Sequence, residues 1–139
     1  MRPTRKFEIL PHTADLRMRV FGGSLEDLFQ NALAALAHIM GDGVQRTREA
    51  RPQRVQLEAE TATNLLIDFL SEALYLANVE KAIYDQVEFT EFSERELVGT
   101  LRGYAVDGFA EDVKAVTYHG AEIKKRKDGK LEIEIVLDI

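Results

Sequence analysis

Apolar residues along this chain recur with two different periods, and the switches between them mark its elements. Phe7-Glu8-Ile9-Leu10 reads as a short strand ended by Pro11. Leu16, Met18 and Val20 then alternate with Arg17 and Arg19, the signature of a half-buried strand over 16–21, which Gly22-Gly23 breaks. From Leu25 the period lengthens: Leu25, Leu28, Phe29, Ala32, Leu33, Leu36 and Met40 share one face of a helix. Ser24, with Asp27 three residues on, resembles a capping box with a shortened acid, and Gly41-Asp42-Gly43 suits a left-handed C-cap.

Period two returns over 44–60, where Val55, Leu57 and Ala59 follow Pro52 on one face. A second helix starts at Thr63 or Asn64 and runs to about Ala77, with an apolar stripe broad enough for a central position. Residues 86–92 and 96–106 read as two strands around a polar turn at Ser93-Glu94. The last two strands, 114–126 and 131–138, flank Asp128-Gly129, a strong hairpin signal. A two-residue loop there sets Ile123 against Glu134, mixing apolar with charged. A three-residue loop with left-handed Gly129 sets Ile123 against Ile133 or Ile135 and Lys124 against Glu132 or Glu134, so the bulged hairpin is the expectation. It turns Leu131, Ile133, Ile135 and Leu137 to the core and leaves Asp138 on the other face. The order ββαβαββββ, or close to it, predicts an α+β fold with two helices packed on a mostly antiparallel or mixed β-sheet.

Length and composition narrow the reading. A chain of 139 residues without repeat or linker is expected to form one domain over 1–139. It has no cysteine, which removes disulfides, thiolate metal sites and a cysteine nucleophile. The basic start lacks an apolar stretch behind it, and no apolar run reaches bilayer length, so a cytoplasmic protein with no membrane role is expected. Net charge is −6, from 18 Lys and Arg against 24 Asp and Glu. Local basic groups exist at Arg46, Arg48, Arg51 and Arg54 and at Lys124 to Lys127. The segment from Asp85 to Asp112 is acidic, opposed only by Arg95 and Arg102. That balance disfavours tight direct RNA binding and favours a basic protein partner or a cation.

Candidate chemistry is sparse. His12 and Asp15 form a metal or acid/base pair on one reading; on the other, Asp15 caps a turn and His12 lies on the surface, and spacing alone favours the second. His38 and His119 complete no zinc pattern, and neither a P-loop nor a nucleophile elbow is present. Lys114 opens a strand, where a strand-edge ion pair is the better reading than a catalytic lysine. The sequence stops at Leu137-Asp138-Ile139, at the end of an apolar strand. The expectation is that Asp138 and the terminal carboxylate arrive together, a hard-oxygen set suited to Ca²⁺ or Mg²⁺.

Three stretches in order, His12-Thr13-Ala14-Asp15, Val113-Lys114-Ala115-Val116-Thr117-Tyr118-His119 and Val136-Leu137-Asp138-Ile139, resemble the archease family, as does Gly23-Ser24-Leu25-Glu26-Asp27-Leu28. The resemblance implies an accessory protein of an RtcB-type tRNA-splicing RNA ligase. Such a ligase joins RNA ends with GTP and Mn²⁺ through its own guanylylated histidine. The family promotes guanylylation and multiple turnover, broadens nucleotide use, and meets RNA indirectly through the ligase. It implies no catalysis by this chain. It also implies a divalent-cation site at Asp15, Asp138 and Ile139, calcium first with magnesium or manganese as alternatives, and partner-facing or supporting roles for His12, Lys114 and His119. Glu111-Asp112 stand where the family often has His-Glu, which removes the basis for a role at that pair. Competing readings are a chaperone or modulator of other tRNA-modifying enzymes such as a methyltransferase, a hydrolase using Asp15 and Asp138 without a positioned base, and an inert structural domain.

Overall fold

In a computed structural model, residues 5–10 and 15–139 are described. The elements in chain order are β1 (Phe7–Leu10), β2 (Leu16–Gly22), α1 (Leu25–Gly41), β3 (Arg48–Glu49), β4 (Gln53–Glu58), α2 (Ala62–Glu80), β5 (Ala82–Phe92), β6 (Glu96–Ala105), β7 (Ala115–Val116), β8 (Lys124–Lys125) and β9 (Leu131–Asp138). The fold is α+β, as expected, and every ladder among the described residues is antiparallel. The expected β-sheet is in fact two sheets.

In the first sheet the order is β1-β2-β9-β7, with β8 also on β9. Because β2 occupies one edge of β9 along its length, β7 and β8 share the other edge, at opposite ends. In the second sheet β6 is central. Its partner β5 covers one edge, so β3 and β4 divide the other. Strand periodicity over 44–60 is interrupted at Ala50–Pro52, where proline offers no N–H to a ladder.

The first helix forms where the sequence places its caps. The Asp27 N–H donates to Ser24 Oγ at 3.1 Å, and Asp27 Oδ2 accepts from the Gly23 N–H at 2.9 Å, so the short acid reaches one residue further back than a full capping box. At the other end Gly43, with φ 74°, supplies the left-handed turn. The second helix starts earlier than its apolar stripe: Thr61 is the cap, its Oγ1 accepting from the Asn64 N–H at 3.1 Å.

The C-terminal hairpin has the bulged form. Lys124 faces Glu132 and Lys125 faces Leu131; the Arg126 N–H donates to the Lys130 carbonyl at 2.7 Å, leaving a three-residue loop with Gly129 at φ 87°. A continuous strand over 114–126 does not form. The Thr117 N–H still donates to the Val136 carbonyl at 3.0 Å; beyond it the chain leaves β9 and crosses to α2, where Tyr118 Oη donates to Asp68 and the Ile123 N–H donates to Thr63 Oγ1 at 3.2 Å. Backbone pairing on that edge of β9 is traded there for side-chain ties to the helix.

Both helices and both sheets contribute to one core cluster, which includes Met18, Val20, Leu33, Leu66, Leu70, Leu101 and Ile135. Phe29 of α1, Phe69 of α2 and Phe89 and Phe92 of β5 pack as an aromatic group, with the Phe29–Phe92 rings edge-on at 5.1 Å. One polar contact locks α1 to β5. Where β5 bulges between Tyr84 and Gln86, the Gln30 carboxamide donates to the Asp85 carbonyl at 3.1 Å and accepts from the Val87 N–H at 3.0 Å. A single side chain thus satisfies both backbone groups that the bulge frees. Gln30→Leu keeps the bulk and strands both groups, so equilibrium denaturation should show a loss of about 2 kcal/mol. A change below about 0.5 kcal/mol would show that water replaces the clamp.

Candidate functional site

The ladder between β2 and β9 decides which side chains meet. Its pairs run from Leu16↔Leu137 to Gly22↔Leu131. Leu16, Met18 and Val20 face the core with Ile133, Ile135 and Leu137, all buried. The alternate residues share the outer face: Arg19 lies opposite both Glu8 of β1 and Glu134 of β9, and Arg17 opposite Val136. Asp138 is exposed on that outer row, as the hairpin register requires.

One step past Leu16↔Leu137, the same register sets Asp15 across from Asp138. On the far side of β9, Asp138 pairs with Ala115, and the Lys114 N–H donates to the Asp138 carbonyl at 2.8 Å. Three chain segments therefore converge at this end of the sheet. Asp15 is half-buried and its Oδ1 lies 3.6 Å from Arg17 Nε. Asp138 forms no ion pair among the described residues. Further along the face Arg19 lies between Glu132 (3.4 Å), Glu134 (3.6 Å) and Glu8 (3.7 Å). Partly exposed pairs of this kind add little stability.

The other expected site residues fall out differently. His12 lies outside the described residues. Lys114 is exposed, and the expected strand-edge ion pair is not formed among the described residues. His119 is exposed in the turn that carries the chain toward α2; its N–H donates to Thr117 Oγ1 at 3.3 Å, and no ladder brings it to Asp15. His38 is exposed with its ring 5.5 Å from that of Phe7.

A divalent cation needs oxygen donors, and this end of the sheet offers the carboxylates of Asp15 and Asp138 with main-chain oxygens beside them. No three Asp, Glu or His side chains converge on one point among the described residues. The donor type fits a hard cation. The number of side chains fits one that keeps much of its water or takes further oxygens from a partner.

Sequence reasoning missed the Tyr118–Asp68 contact. Asp68 registers in the sequence only as an interruption of an apolar helix face, and no spacing links it to a tyrosine 50 residues on. Tyr118 is nonetheless 55% exposed, as are Tyr75 (61%) and Val79 (56%) on the same helix.

Comparison with known proteins supplies the relationship. The sequence profile of the archease protein family matches residues 7–139. The chain belongs to the archease family. The protein archease of Thermococcus gammatolerans is 32% identical over 142 residues, covering 97% of this chain and 99% of that one. The protein archease of Methanosarcina acetivorans is 31% identical over 143 residues, covering 97% of each. The solution structure of Methanobacterium thermoautotrophicum protein 1598 superposes with a TM-score of 0.66 at 27% identity over 96% of this chain and 99% of that one. The crystal structure of a Thermotoga maritima archease, described as a possible chaperone, gives 0.64 at 20% identity over 100% of this chain and 98% of that one. No helix of this family member is long and apolar enough to cross a membrane among the described residues.

The Tyr118 phenol is held above its ordinary value of 10.0, first by its hydrogen bond to Asp68 and then by burial and the carboxylate's charge. A raised value in the folded state means the stability from this bond is fully present below about pH 10 and is lost as pH rises through the raised value. The stability difference between wild type and Tyr118→Phe should therefore be constant from neutral pH to about pH 9 and shrink above about pH 10 in denaturant titrations. A difference that stays constant across that range would show that the bond does not form.

Proposed function

We propose that this chain is a non-catalytic activator of an RtcB-type RNA ligase, promoting guanylylation of the ligase and its multiple turnover in tRNA processing. Membership of the archease family along nearly the whole chain carries the reading. On this reading Asp15, Asp138 and a main-chain or terminal oxygen of Ile139 hold a divalent cation, calcium first, with magnesium or manganese as alternatives. Support comes from the ladder's last pair, Leu16↔Leu137, which leaves Asp15 and Asp138 as the next residues on adjacent strands.

The chain's own residues have definable tasks in that proposal. The two carboxylates repel each other on adjacent strands, and Arg17 at 3.6 Å offsets Asp15 in part. A cation bound there would neutralise the pair and cross-link the ends of β2 and β9. Arg17 competes for Asp15 and so weakens cation affinity, leaving the site sensitive to an added oxygen donor from a partner. Lys114, exposed beside Asp138, is placed to meet an acidic group on the ligase. His12 and His119 keep supporting roles in the proposal. RNA is met through the ligase in this scheme, and the setting is the cytoplasm. A second reading, a chaperone for other tRNA-modifying enzymes, draws on the possible-chaperone description of the Thermotoga maritima relative.

The deciding assay is RNA ligation under multiple turnover by an RtcB-type ligase with substoichiometric amounts of this protein. Wild type should raise turnover, and Asp15→Ala and Asp138→Ala should each lower that stimulation by about tenfold or more, with far-UV circular dichroism unchanged. Full stimulation by both variants would remove the carboxylates from the mechanism. No stimulation by wild type would favour the chaperone reading.

A further inference from the structure

The basic cluster at Arg46, Arg48, Arg51 and Arg54 has no part in the cation site, which belongs to the other sheet. Two of its members line a groove. A cavity of about 410 Å³ lies among Arg46, Arg48, Glu49, Asp85, Arg102 and Tyr104, and a second of about 400 Å³ continues it past Arg46 and Tyr104 toward the end of α1. The Arg46 guanidinium sits 4.1 Å from the centre of the Tyr104 ring.

This groove is built on fixed backbone. Thr47 donates to the Ala105 carbonyl twice, through its N–H at 3.0 Å and its hydroxyl at 3.1 Å, and the Ala50 N–H donates to the Gly103 carbonyl at 3.1 Å. The chain carrying Arg46 and Arg48 is therefore pinned to β6, which carries Arg102 and Tyr104. None of these three arginines forms an ion pair among the described residues, although Glu49 and Asp85 line the same cavity. Among the described residues Arg5, Arg17, Arg19 and Arg126 have carboxylate partners, and Arg51, Arg54 and Arg95 have none but do not line this groove. Three unpaired guanidiniums beside an aromatic ring are an uncommon concentration on a chain of net charge −6.

We infer that this groove is a nucleotide site, with a base stacked on the Arg46–Tyr104 pair and phosphate held by Arg48 and Arg102. Guanidinium forks match phosphate oxygens, and a flat cation on an aromatic face extends a platform on which any base can stack. The two carboxylates argue for the same ligand class. They repel a purely anionic ligand such as an acidic peptide, whereas Asp85 and its neighbour Gln86 are side-chain types that hydrogen-bond base edges. Free nucleotides and single-stranded RNA share this chemistry. Recognition is local, with two guanidiniums on phosphate, so binding is moderate and its salt slope is about −1.4 for a single strand.

The test is fluorescence anisotropy of the full chain with a labelled single-stranded RNA octamer at about 50 mM and about 200 mM salt. Binding should appear at the lower salt and weaken at the higher. The Arg46→Ala/Arg48→Ala/Arg102→Ala variant should bind at least about tenfold more weakly, and Arg102→Ala alone should flatten the salt slope by about 0.7 for each phosphate that Arg102 neutralises. Lys124→Ala/Lys125→Ala, at the other basic stretch, should bind like wild type. All the substituted side chains are exposed, and an unchanged melting temperature confirms folding. Displacement of the octamer by free GTP or ATP assigns the ligand as a mononucleotide, and failure to displace it assigns a strand; either supports a nucleotide site. Three results overturn it: no binding at the lower salt, equal binding by the triple variant, or displacement by polyglutamate as readily as by unlabelled RNA.

Discussion

The antiparallel ladder between β2 and β9 is the constraint on which the rest of this protein depends. It joins the beginning of the chain to its end over the pairs from Leu16↔Leu137 to Gly22↔Leu131. Strand side chains alternate, so one register simultaneously decides what is buried and what is displayed. It turns Met18, Val20, Ile133 and Ile135 into the core. The same choice sends Arg17, Arg19, Glu132, Glu134 and Asp138 to the opposite face. A slip of one residue would bury that row of charges, at a cost far above the stability of a domain. The Leu16↔Leu137 pair, next to Asp15 and Asp138, is thus held by hydrophobic burial along the same strands.

Much of this was legible in the sequence because local periodicity and local capping dominate it. The strand at Leu16–Gly22 follows directly from alternating Leu, Met and Val with Arg. The first helix is announced by Ser24 and Asp27, whose side chains make the bonds their spacing suggests. Hairpin register was readable too, since only an odd loop keeps Ile123 away from a glutamate. What could not be read depends on contacts distant in sequence. No local pattern distinguishes one sheet from two, because the pairing of β6 with β4 and β5 and of β9 with β2 is a tertiary choice. The strand expected over 114–126 fails for a related reason. Its residues have the right alternation, yet Tyr118 and Ile123 find better partners on α2.

At the candidate site, the sequence placed Asp138 on the right face by register alone and linked it to Asp15 only through the archease resemblance. The ladder ends one residue short of both, at Leu16↔Leu137. His119 and Lys114, neighbours in the same motif, separate in space: Lys114 stays beside β9 at Asp138, and His119 follows the loop toward α2. Two surfaces of different character result. One end of the first sheet displays carboxylates with few compensating charges, while the second sheet displays guanidiniums without partners around Tyr104.

The central claim is that Asp15 and Asp138 act as one oxygen-donor site because β2 and β9 pair in this register. Melting temperatures of wild type, Asp15→Asn, Asp138→Asn and the double variant, each with and without calcium, test it most directly. Calcium should raise the melting temperature of wild type. Each single substitution should remove the whole increment, and the double variant should lose nothing more, the non-additivity expected of a shared site. An increment that survives in either single variant would contradict the claim.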